Sequence, residues 1–279
     1  MKLKPSGLKE LHTQMPKAKR QPNRYQTLID HIFFRHWEEN MREFEFTRPE
    51  IEHAAARLKI ILPKNVGDTV YALRYRTPLP DSVIATQPNG FEWIIEGAGR
   101  AKYRFRLVRA NRIRPRGDMA CIAIPDATPE VIQLYKLDDE QALLAIVRYN
   151  RLIDIFLGLT TFSLQNHLRT SVKGIGQIEI DELYVGIDKG GCHYVIPVQA
   201  KGGKDQIGVV QTNQDVQYCA QKFPGMKCKP ISAQFLPDGT IALFELVLKN
   251  GEVRVADEKQ YRLVPASEID NNAVRTYRS

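Results

Sequence analysis

Apolar residues recur with helical spacing in the first part of the chain. The segment 25–41 carries its apolar residues on one face, which is the pattern of an amphipathic helix. A second helix is predicted to begin at Thr47, because Glu50 three residues later completes a capping-box pattern. Asn65 gives a weaker start signal for a third helix over 66–75. The pattern therefore predicts three successive helices.

A β-hairpin is predicted after these helices. Its strands are the segments 91–95 and 103–108, joined by a glycine-containing turn. Lys102, Arg104 and Arg106 alternate with aromatic and aliphatic residues, and side chains of a strand alternate between its two faces. One face of the hairpin is therefore expected to be cationic and the other buried.

Helices and strands alternate in the rest of the chain. A helix is predicted over 141–157, and the acidic residues at its start, Glu140 among them, suit the positive end of the helix dipole. Strands are predicted over 178–185 and 193–201, and a glycine-rich turn between them favours a hairpin or an adjacent pair. A helix ending at Tyr218 and further strand pairs follow. This order predicts an α+β fold whose mixed sheet is flanked by helices.

The segment 111–118 divides these two regions. It is rich in arginine and contains proline and glycine, so we expect a linker. The linker would separate an N-terminal domain, residues 23–110, from a second domain, residues 119–279. Residues 1–22 are basic and contain prolines without an apolar centre, which predicts a flexible basic arm.

Charge is distributed unevenly along the chain. Residues 1–120 contain 23 Lys and Arg against 13 Asp and Glu, whereas residues 121–279 contain 17 against 19. The two regions thus carry +10 and −2, which sum to the net charge of +8. A basic field confined to one region is typical of a protein that binds a polyanion, so double-stranded DNA is the expected partner.

Composition excludes several classes of protein. The chain has 279 residues, 43% of them hydrophobic, but no apolar stretch approaches the roughly 20 residues that a membrane span needs. We therefore expect a cytoplasmic protein with no membrane partner. The four cysteines lack the spacing of a zinc site, which favours free thiols.

Acidic, amidic and basic residues fall on the two neighbouring strands of the second region. Glu179 and Asp181 share one face of the first strand, and Gln199 and Lys201 share one face of the next. Glu182 belongs to the opposite face, which makes Asp181 the better candidate. An aspartate, an amide oxygen and an ammonium group that converge in this way can hold a divalent cation and a phosphate together.

This layout resembles the PD-(D/E)xK nuclease superfamily, in which a strand aspartate precedes an acid, any residue, lysine triplet. The triplet here is Gln199, Ala200 and Lys201. Gln199 offers a neutral amide where most relatives have a carboxylate, and Ile180 stands where the motif has proline. A polar strand followed by such a tripeptide also occurs by chance in unrelated proteins.

The resemblance implies a restriction-endonuclease-like domain that hydrolyses phosphodiester bonds of DNA with Mg²⁺, for which Mn²⁺ substitutes. Asp181, Gln199 and the Ala200 carbonyl would bind the ion, Lys201 would orient or activate the attacking water, and Glu179 would lie at the same catalytic face. A restriction or defence role is expected, with a homodimer and a cognate DNA methyltransferase as further candidate partners. A helix acid also joins the site in many relatives, so Glu140 and Asp154 are further candidate ligands in this chain.

The N-terminal helices and hairpin resemble a winged helix. The third helix would then be the recognition helix, and the hairpin would be a wing laid on the sugar-phosphate backbone. The expected DNA-binding residues are Lys64, Arg74, Arg76, Lys102, Arg104 and Arg106. The alternative is a small α+β module whose charged hairpin face is merely solvated.

Other functions remain open at the level of sequence. The chain is alternatively a non-catalytic DNA-binding regulator with a degenerate nuclease-like domain, an interpretation that Gln199 favours. Cleavage of RNA or branched DNA would use the same chemistry as cleavage of duplex DNA. His167 and Arg169 lie in a polar segment, 163–172, where they either contact the scissile phosphate or belong to a helix surface that faces water.

Overall fold

The computed structural model describes residues 23–75, 77–109, 112–135, 140–202 and 207–276. The predicted basic arm, residues 1–22, therefore lies outside the described residues. The N-terminal elements, in chain order, are α1 (Arg24–His36), β1 (Glu43–Thr47), α2 (Arg48–Leu58), α3 (Gly67–Tyr75), α4 (Asp81–Ile84), β2 (Glu92–Gly99) and β3 (Lys102–Val108).

The predicted helices and hairpin are present, and a strand that the sequence did not indicate joins them. Asn23 caps α1, and Thr47 precedes α2 with its backbone N–H donating to Glu50 Oε2 at 2.8 Å. β1 pairs antiparallel with β3, giving a three-stranded sheet in the order β1-β3-β2. Phe33 and Trp93 are buried where the helices pack on this sheet.

The elements of the second region begin with β4 (Arg112–Ile113), β5 (Cys121–Pro125), α5 (Glu130–Tyr135), α6 (Glu140–Tyr149), α7 (Leu152–Leu157), β6 (Thr160–Val172), β7 (Gly176–Ile187) and β8 (His193–Lys201). They continue with β9 (Ile207–Gly208), α8 (Val209–Lys222), β10 (Lys227–Cys228), β11 (Ile231–Phe235), β12 (Ile241–Lys249), β13 (Glu252–Val264), a 3₁₀ turn (Ala266–Glu268) and α9 (Asn271–Thr276). Among the described helices, none is both long and apolar enough to cross a membrane.

A mixed eight-stranded sheet forms the centre of this region, so the prediction of an α+β class is confirmed. Its order is β5-β13-β12-β11-β8-β7-β6, with β10 also beside β8. The antiparallel pairing of β7 with β8 confirms the predicted hairpin. β11 runs parallel to β8, because α8 carries the chain back across the sheet between them.

Helices cover both faces of the sheet. Ile196 of β8 packs in one core with Leu144 of α6 and Leu152 of α7. Val195, the preceding residue, packs in another core with Cys219 of α8. Since neighbouring side chains of a strand point to opposite faces, α6 and α7 lie on one side of β8 and α8 lies on the other.

The segment expected to be a linker is bound to the larger sheet. β4, within this segment, pairs antiparallel with β9. The backbone N–H of Arg116 donates to Glu258 Oε1 at 2.9 Å, and Gln260 Nε2 donates to the Arg116 carbonyl at 2.7 Å. Ile113 is buried in a core that includes Val108 of β3 as well as residues of α8, β12 and β13. The arginine, proline and glycine content of the segment did not indicate that Ile113 would be buried in a core.

Gly97, in the small sheet, lies very close to the backbone of the β6–β7 turn of the larger sheet. A Cβ atom at this position would meet the carbonyl oxygen of Ile175, in the β6–β7 turn, at 2.0 Å. Only glycine allows the backbones to come so close. The small sheet is therefore packed directly against the hairpin that carries Asp181.

We expect Gly97→Ala to destabilise the fold by about 1–3 kcal/mol, because the added methyl group must push two backbones apart. Chemical denaturation of the two proteins measures the difference. Gly117→Ala is the matched control, since a Cβ there would meet no atom within 4 Å. Equal unfolding free energies for the two variants would contradict this account of the contact.

Candidate functional site

The strands β7 and β8 separate at the residues that the sequence singled out. Their registered pairing runs from Ile187 and His193 to Glu182 and Val198. Beyond this point a side chain replaces the backbone ladder, because Asp181 Oδ2 accepts the Ala200 backbone N–H at 2.8 Å. The carboxylate thus holds the two strands together while the backbones diverge.

A cavity of about 690 Å³ lies beside this divergence. Asp181, Glu179 and Lys201 line it from the sheet, and Glu140 lines it from the start of α6. The opposite wall is α3 of the N-terminal region. The structure therefore brings together the predicted aspartate, glutamate and lysine, and it adds a helix acid.

Lys201 is held by Glu140 at the edge of the cavity. Its Nζ lies 3.3 Å from Glu140 Oε1, and its side chain is only 14% exposed. Asp154, the other helix acid that was considered, instead accepts hydrogen bonds from the Thr161 backbone and hydroxyl and pairs with Arg151. Of the two helix acids, only Glu140 lines this cavity among the described residues.

Burial raises the pKa of the Asp181 carboxyl above its ordinary value, and this desolvation is the largest effect on it. The Ala200 N–H and the Lys201 ammonium oppose the rise by favouring the carboxylate, whereas Glu140 and Glu179 add to it through repulsion. A nearby cation would stabilise the charged form of such a carboxyl, because its pKa is raised and it lies among like charges. Perturbed groups of this kind in a cleft are typical of functional sites.

Glu182 faces away from the cavity, as the alternation along β7 predicts. It is fully buried and pairs with Arg148 of α6 at 2.8 Å. The Ser163 hydroxyl donates to the same carboxylate at 2.6 Å. The sequence-based preference for Asp181 over Glu182 thus agrees with the side of the sheet on which each residue lies.

Gln199 is buried behind the cavity. Its Nε2 donates to the Glu179 carbonyl at 2.9 Å and to Asp215 Oδ2 of α8 at 3.0 Å. Its Oε1 is buried and accepts no hydrogen bond from the described residues. Neither Gln199 nor the fully buried Ala200 is among the described residues that line the cavity. The amide is engaged in joining β7 to α8, which explains why it does not reach the cavity.

Asp215 is the residue of this region that sequence reasoning missed. It is only 2% exposed, and desolvation raises the pKa of its carboxyl well above the ordinary value. Gln199 partly opposes this rise by donating a hydrogen bond. Polar residues occupy most of the middle of α8, so the helical pattern gave no signal that this aspartate points inward.

Glu179 connects the cavity to the edge strand β6. It pairs with Arg169 at 3.3 Å and lies 3.3 Å from the imidazole of His167. The polar segment 163–172 is thus part of a strand whose basic side chains reach the acidic strand beside it. Arg169 also lines the cavity, which places one of the two candidate phosphate contacts there.

The predicted DNA-binding residues have different surroundings. Lys64 and Lys102 are exposed, and Arg74 lines the cavity with its guanidinium 5.8 Å from the centre of the Tyr103 ring. Arg104 pairs with Glu45 at 2.7 Å and Arg106 pairs with Glu96 at 3.0 Å. Arg76 lies outside the described residues.

The cationic hairpin face expected from the sequence is therefore an ion-pair network. The unpredicted strand β1 supplies Glu45 opposite Arg104, and β2 supplies Glu96. The Arg104 hydrogen bond lowers the pKa of the Glu45 carboxyl below its ordinary value. Of the three hairpin cations, Lys102 keeps the most exposed position.

Two of the acidic lining residues have the ligand chemistry that a hard divalent cation requires. Mg²⁺ takes oxygen ligands and is commonly bound through one or two carboxylates together with water and substrate phosphates. Asp181 and Glu140 present carboxylates to the cavity. No group of three or more His, Cys, Asp or Glu side chains among the described residues is placed to hold a metal ion.

Comparisons with protein-family models, with curated proteins and with solved structures gave no match.

We expect Asp215→Asn to stabilise the protein increasingly as pH rises. The raised pKa means that folding favours the protonated carboxyl, so the wild type loses stability as pH rises from the ordinary pKa of 3.8 towards the folded-state pKa. Asparagine resembles the neutral form and still accepts the Gln199 hydrogen bond. Melting temperatures of both proteins across this range test the expectation, and a difference independent of pH would contradict it.

Proposed function

We propose that the chain is a metal-dependent endonuclease that hydrolyses phosphodiester bonds of DNA, of the restriction or defence type. The proposal depends on one observation, which is that Asp181 and Lys201 meet Glu140 around one cavity. In this proposal the second region is a PD-(D/E)xK-like nuclease domain. The N-terminal region, residues 23–110, is a winged-helix-like DNA-binding domain.

The arrangement of the strands supports the resemblance. The aspartate and the QxK triplet stand on adjacent antiparallel strands, and the side chain of Asp181 bonds the triplet directly. The carboxylate that most relatives have at the first triplet position is absent from this sequence. We propose that Glu140 supplies the second acidic group from α6.

Asp181 and Glu140 would hold Mg²⁺ in this site. When bound, the ion would polarise a phosphate oxygen and lower the pKa of a coordinated water. The Ala200 N–H fixes one oxygen of Asp181 and limits the motion of the carboxylate, so the other oxygen is the one that would hold the ion. Gln199 would support the site indirectly, because the hydrogen bonds of its amide hold β7 against α8.

Lys201 would act on the phosphate itself. Its ammonium is largely shielded from water, so its attraction for a phosphate oxygen is stronger than that of a surface lysine. Negative charge builds on these oxygens as water attacks, and a fixed cation stabilises that charge. Glu140 keeps the ammonium in position before the substrate arrives.

The charge of the cavity also favours joint binding of metal and phosphate. Four acidic side chains and three basic ones are found among its described lining residues. The acidic residues are Asp68, Glu140, Glu179 and Asp181, and the basic ones are Arg74, Arg169 and Lys201. A phosphodiester that entered alone would meet a cavity with net negative charge and be repelled. A bound divalent cation would make the net charge of the cavity positive, so it would attract the phosphodiester.

A non-catalytic DNA-binding regulator is the second candidate function. The buried position of Gln199 favours it, because the first triplet residue then offers the cavity neither charge nor an amide oxygen. Incubation of plasmid with Mg²⁺ or Mn²⁺ separates the two candidates. A regulator would retard the plasmid in a gel without cutting it.

We expect Lys201→Ala to lower kcat for plasmid cleavage about 10²- to 10³-fold, the usual loss when one group that stabilises transition-state charge is removed. Single-turnover cleavage under saturating protein measures the effect. Lys249→Ala, at an exposed position on β12, is the control and keeps the parent rate. Parent-like cleavage by Lys201→Ala would refute the role assigned to its ammonium.

Cleavage should depend on pH through competition between protons and metal at Asp181. Because the pKa of this carboxyl is raised, it becomes protonated at a higher pH than an ordinary aspartate and then releases the metal. Activity should therefore fall on the acidic side, and a higher Mg²⁺ concentration should move this fall to lower pH. An acidic limb that does not respond to Mg²⁺ concentration would argue against Asp181 as a ligand.

A further inference from the structure

A second cavity lies where the N-terminal region meets the larger sheet. Its volume is about 260 Å³, and it is lined by the end of β3, the N-terminal half of α8 and the turn between β12 and β13. The charged residues among its described lining are Arg106, Arg109, Arg254 and Glu252. Because they come from both regions of the chain, the cavity exists only where the two regions pack together.

Arg106 forms a fixed wall of this cavity. Its guanidinium donates two hydrogen bonds to the Glu96 carboxylate, at 3.1 and 3.0 Å, and a third to the Gly251 carbonyl, at 3.2 Å. Glu96 balances its charge. The bond to Gly251 ties the N-terminal hairpin to the β12–β13 turn, so Arg109, just after β3, and Arg254, on β13, reach the same cavity.

Arg109 and Arg254 share one carboxylate. Glu252 lies 3.8 Å from the Arg109 guanidinium and 3.2 Å from that of Arg254, and it is the one carboxylate of the described residues that pairs with either arginine. The two arginine side chains are 71% and 54% exposed. One negative charge against two positive charges leaves an excess of positive charge in a concave site, and such a site attracts an anion.

A further arginine extends this positive charge along the surface. Arg42 lies beside the end of β3, because its carbonyl accepts the Leu107 N–H at 2.9 Å. The guanidinium groups of Arg42 and Arg109 both lie against the Phe91 ring, at 5.4 and 5.6 Å from its centre. Arg42, Arg109 and Arg254 together form what we call the basic junction.

The basic junction differs from the hairpin face that was expected to contact DNA. On that face Arg104 pairs with Glu45 and Arg106 pairs with Glu96, so its charge is balanced. At the basic junction the arginines outnumber the single carboxylate, Glu252. Guanidinium groups bind phosphate oxygens through paired N–H donors, so the chemistry of this surface suits phosphate groups.

We propose that the basic junction binds the backbone of the nucleic acid substrate, with Arg109 and Arg254 on one phosphate and Arg42 on a neighbouring phosphate. The inference rests on the proposed function in taking a nucleic acid as the ligand, and it applies to the nuclease and to the regulator alike. The binding surface is then composite, because Arg42 and Arg109 belong to the N-terminal region and Arg254 to the larger sheet.

The test measures binding of a labelled DNA duplex by fluorescence anisotropy, without divalent metal so that no strand is cut. Arg109→Gln/Arg254→Gln should bind about tenfold more weakly than the wild type, since it loses hydrogen bonds to a charged group. A plot of log affinity against log salt concentration should become less steep by about 0.9, the change for one phosphate contact. Adding Arg42→Gln should reduce the slope by about the same amount again.

Lys259→Gln/Arg262→Gln is the matched control. It removes the same two charges from exposed positions on β13, and neither residue is among the described residues that line this cavity. Its affinity and salt dependence should stay within about twofold of the wild type, because a distant exposed charge is screened by salt. All variants should keep the parent melting temperature, since the replaced side chains are largely exposed.

Two results would overturn the proposal. One is a double variant, Arg109→Gln/Arg254→Gln, with the affinity and salt dependence of the wild type. The other is an equal loss in the control variant, which would mean that net charge alone determines binding.

Failure of this inference is distinguishable from failure of the proposed function. If the wild type binds DNA through these arginines but does not cut it with Mg²⁺ or Mn²⁺, the nuclease function is wrong and the basic junction stands. If the wild type cuts DNA but the double variant binds as tightly as the wild type, the basic junction is wrong and the nuclease function stands. A wild type that binds no DNA would overturn both.

Discussion

The hydrogen bond from the Ala200 N–H to Asp181 Oδ2 is the interaction on which the candidate site depends. It occupies the place where the backbone ladder between β7 and β8 ends, so the strands diverge without leaving this N–H unsatisfied. The divergence places Asp181 and Lys201 at a cavity although the two strands that carry them are mostly buried. The same bond fixes the carboxylate and partly offsets the effect of its burial.

The buried polar groups behind the site cost free energy of folding, and their positions show which elements they join. Asp215 and Gln199 are almost completely buried, and the carboxyl of Asp215 is destabilised in its charged form. Their mutual hydrogen bond and the bond from Gln199 to the Glu179 carbonyl connect α8 to β7 just where the sheet loses its regular pairing. Polar bridges thus replace the ladder on one side of β8 while apolar packing holds the other side.

The cavity exists because the two regions of the chain are packed against each other. Ile113, inside the segment predicted to be a linker, is buried with residues of both regions, and Gly97 permits backbone contact with the β6–β7 turn. α3 consequently stands over the divergent strands. The helix predicted from the sequence to be the recognition helix, α3, therefore forms a wall of this cavity.

Local patterns in the sequence were sufficient for the helices around Thr47 and Tyr71, for the hairpin of β7 and β8, and for the opposite orientations of Asp181 and Glu182 on β7. These features depend on the 3.6-residue and two-residue periods and on capping, which act over a few residues. The sequence did not reveal β1, the buried aspartate Asp215 or the ion pairs that neutralise Arg104 and Arg106. Each of these features depends on a partner that is distant in the chain. A local sequence pattern does not indicate which distant residue tertiary packing brings near. The sequence by itself thus determined the candidate pair Asp181 and Lys201. Only the tertiary structure decided that Glu140 joins them and that Gln199 is buried behind them. The reason is that the helices packed on both faces of the sheet determine which side chains reach the cavity.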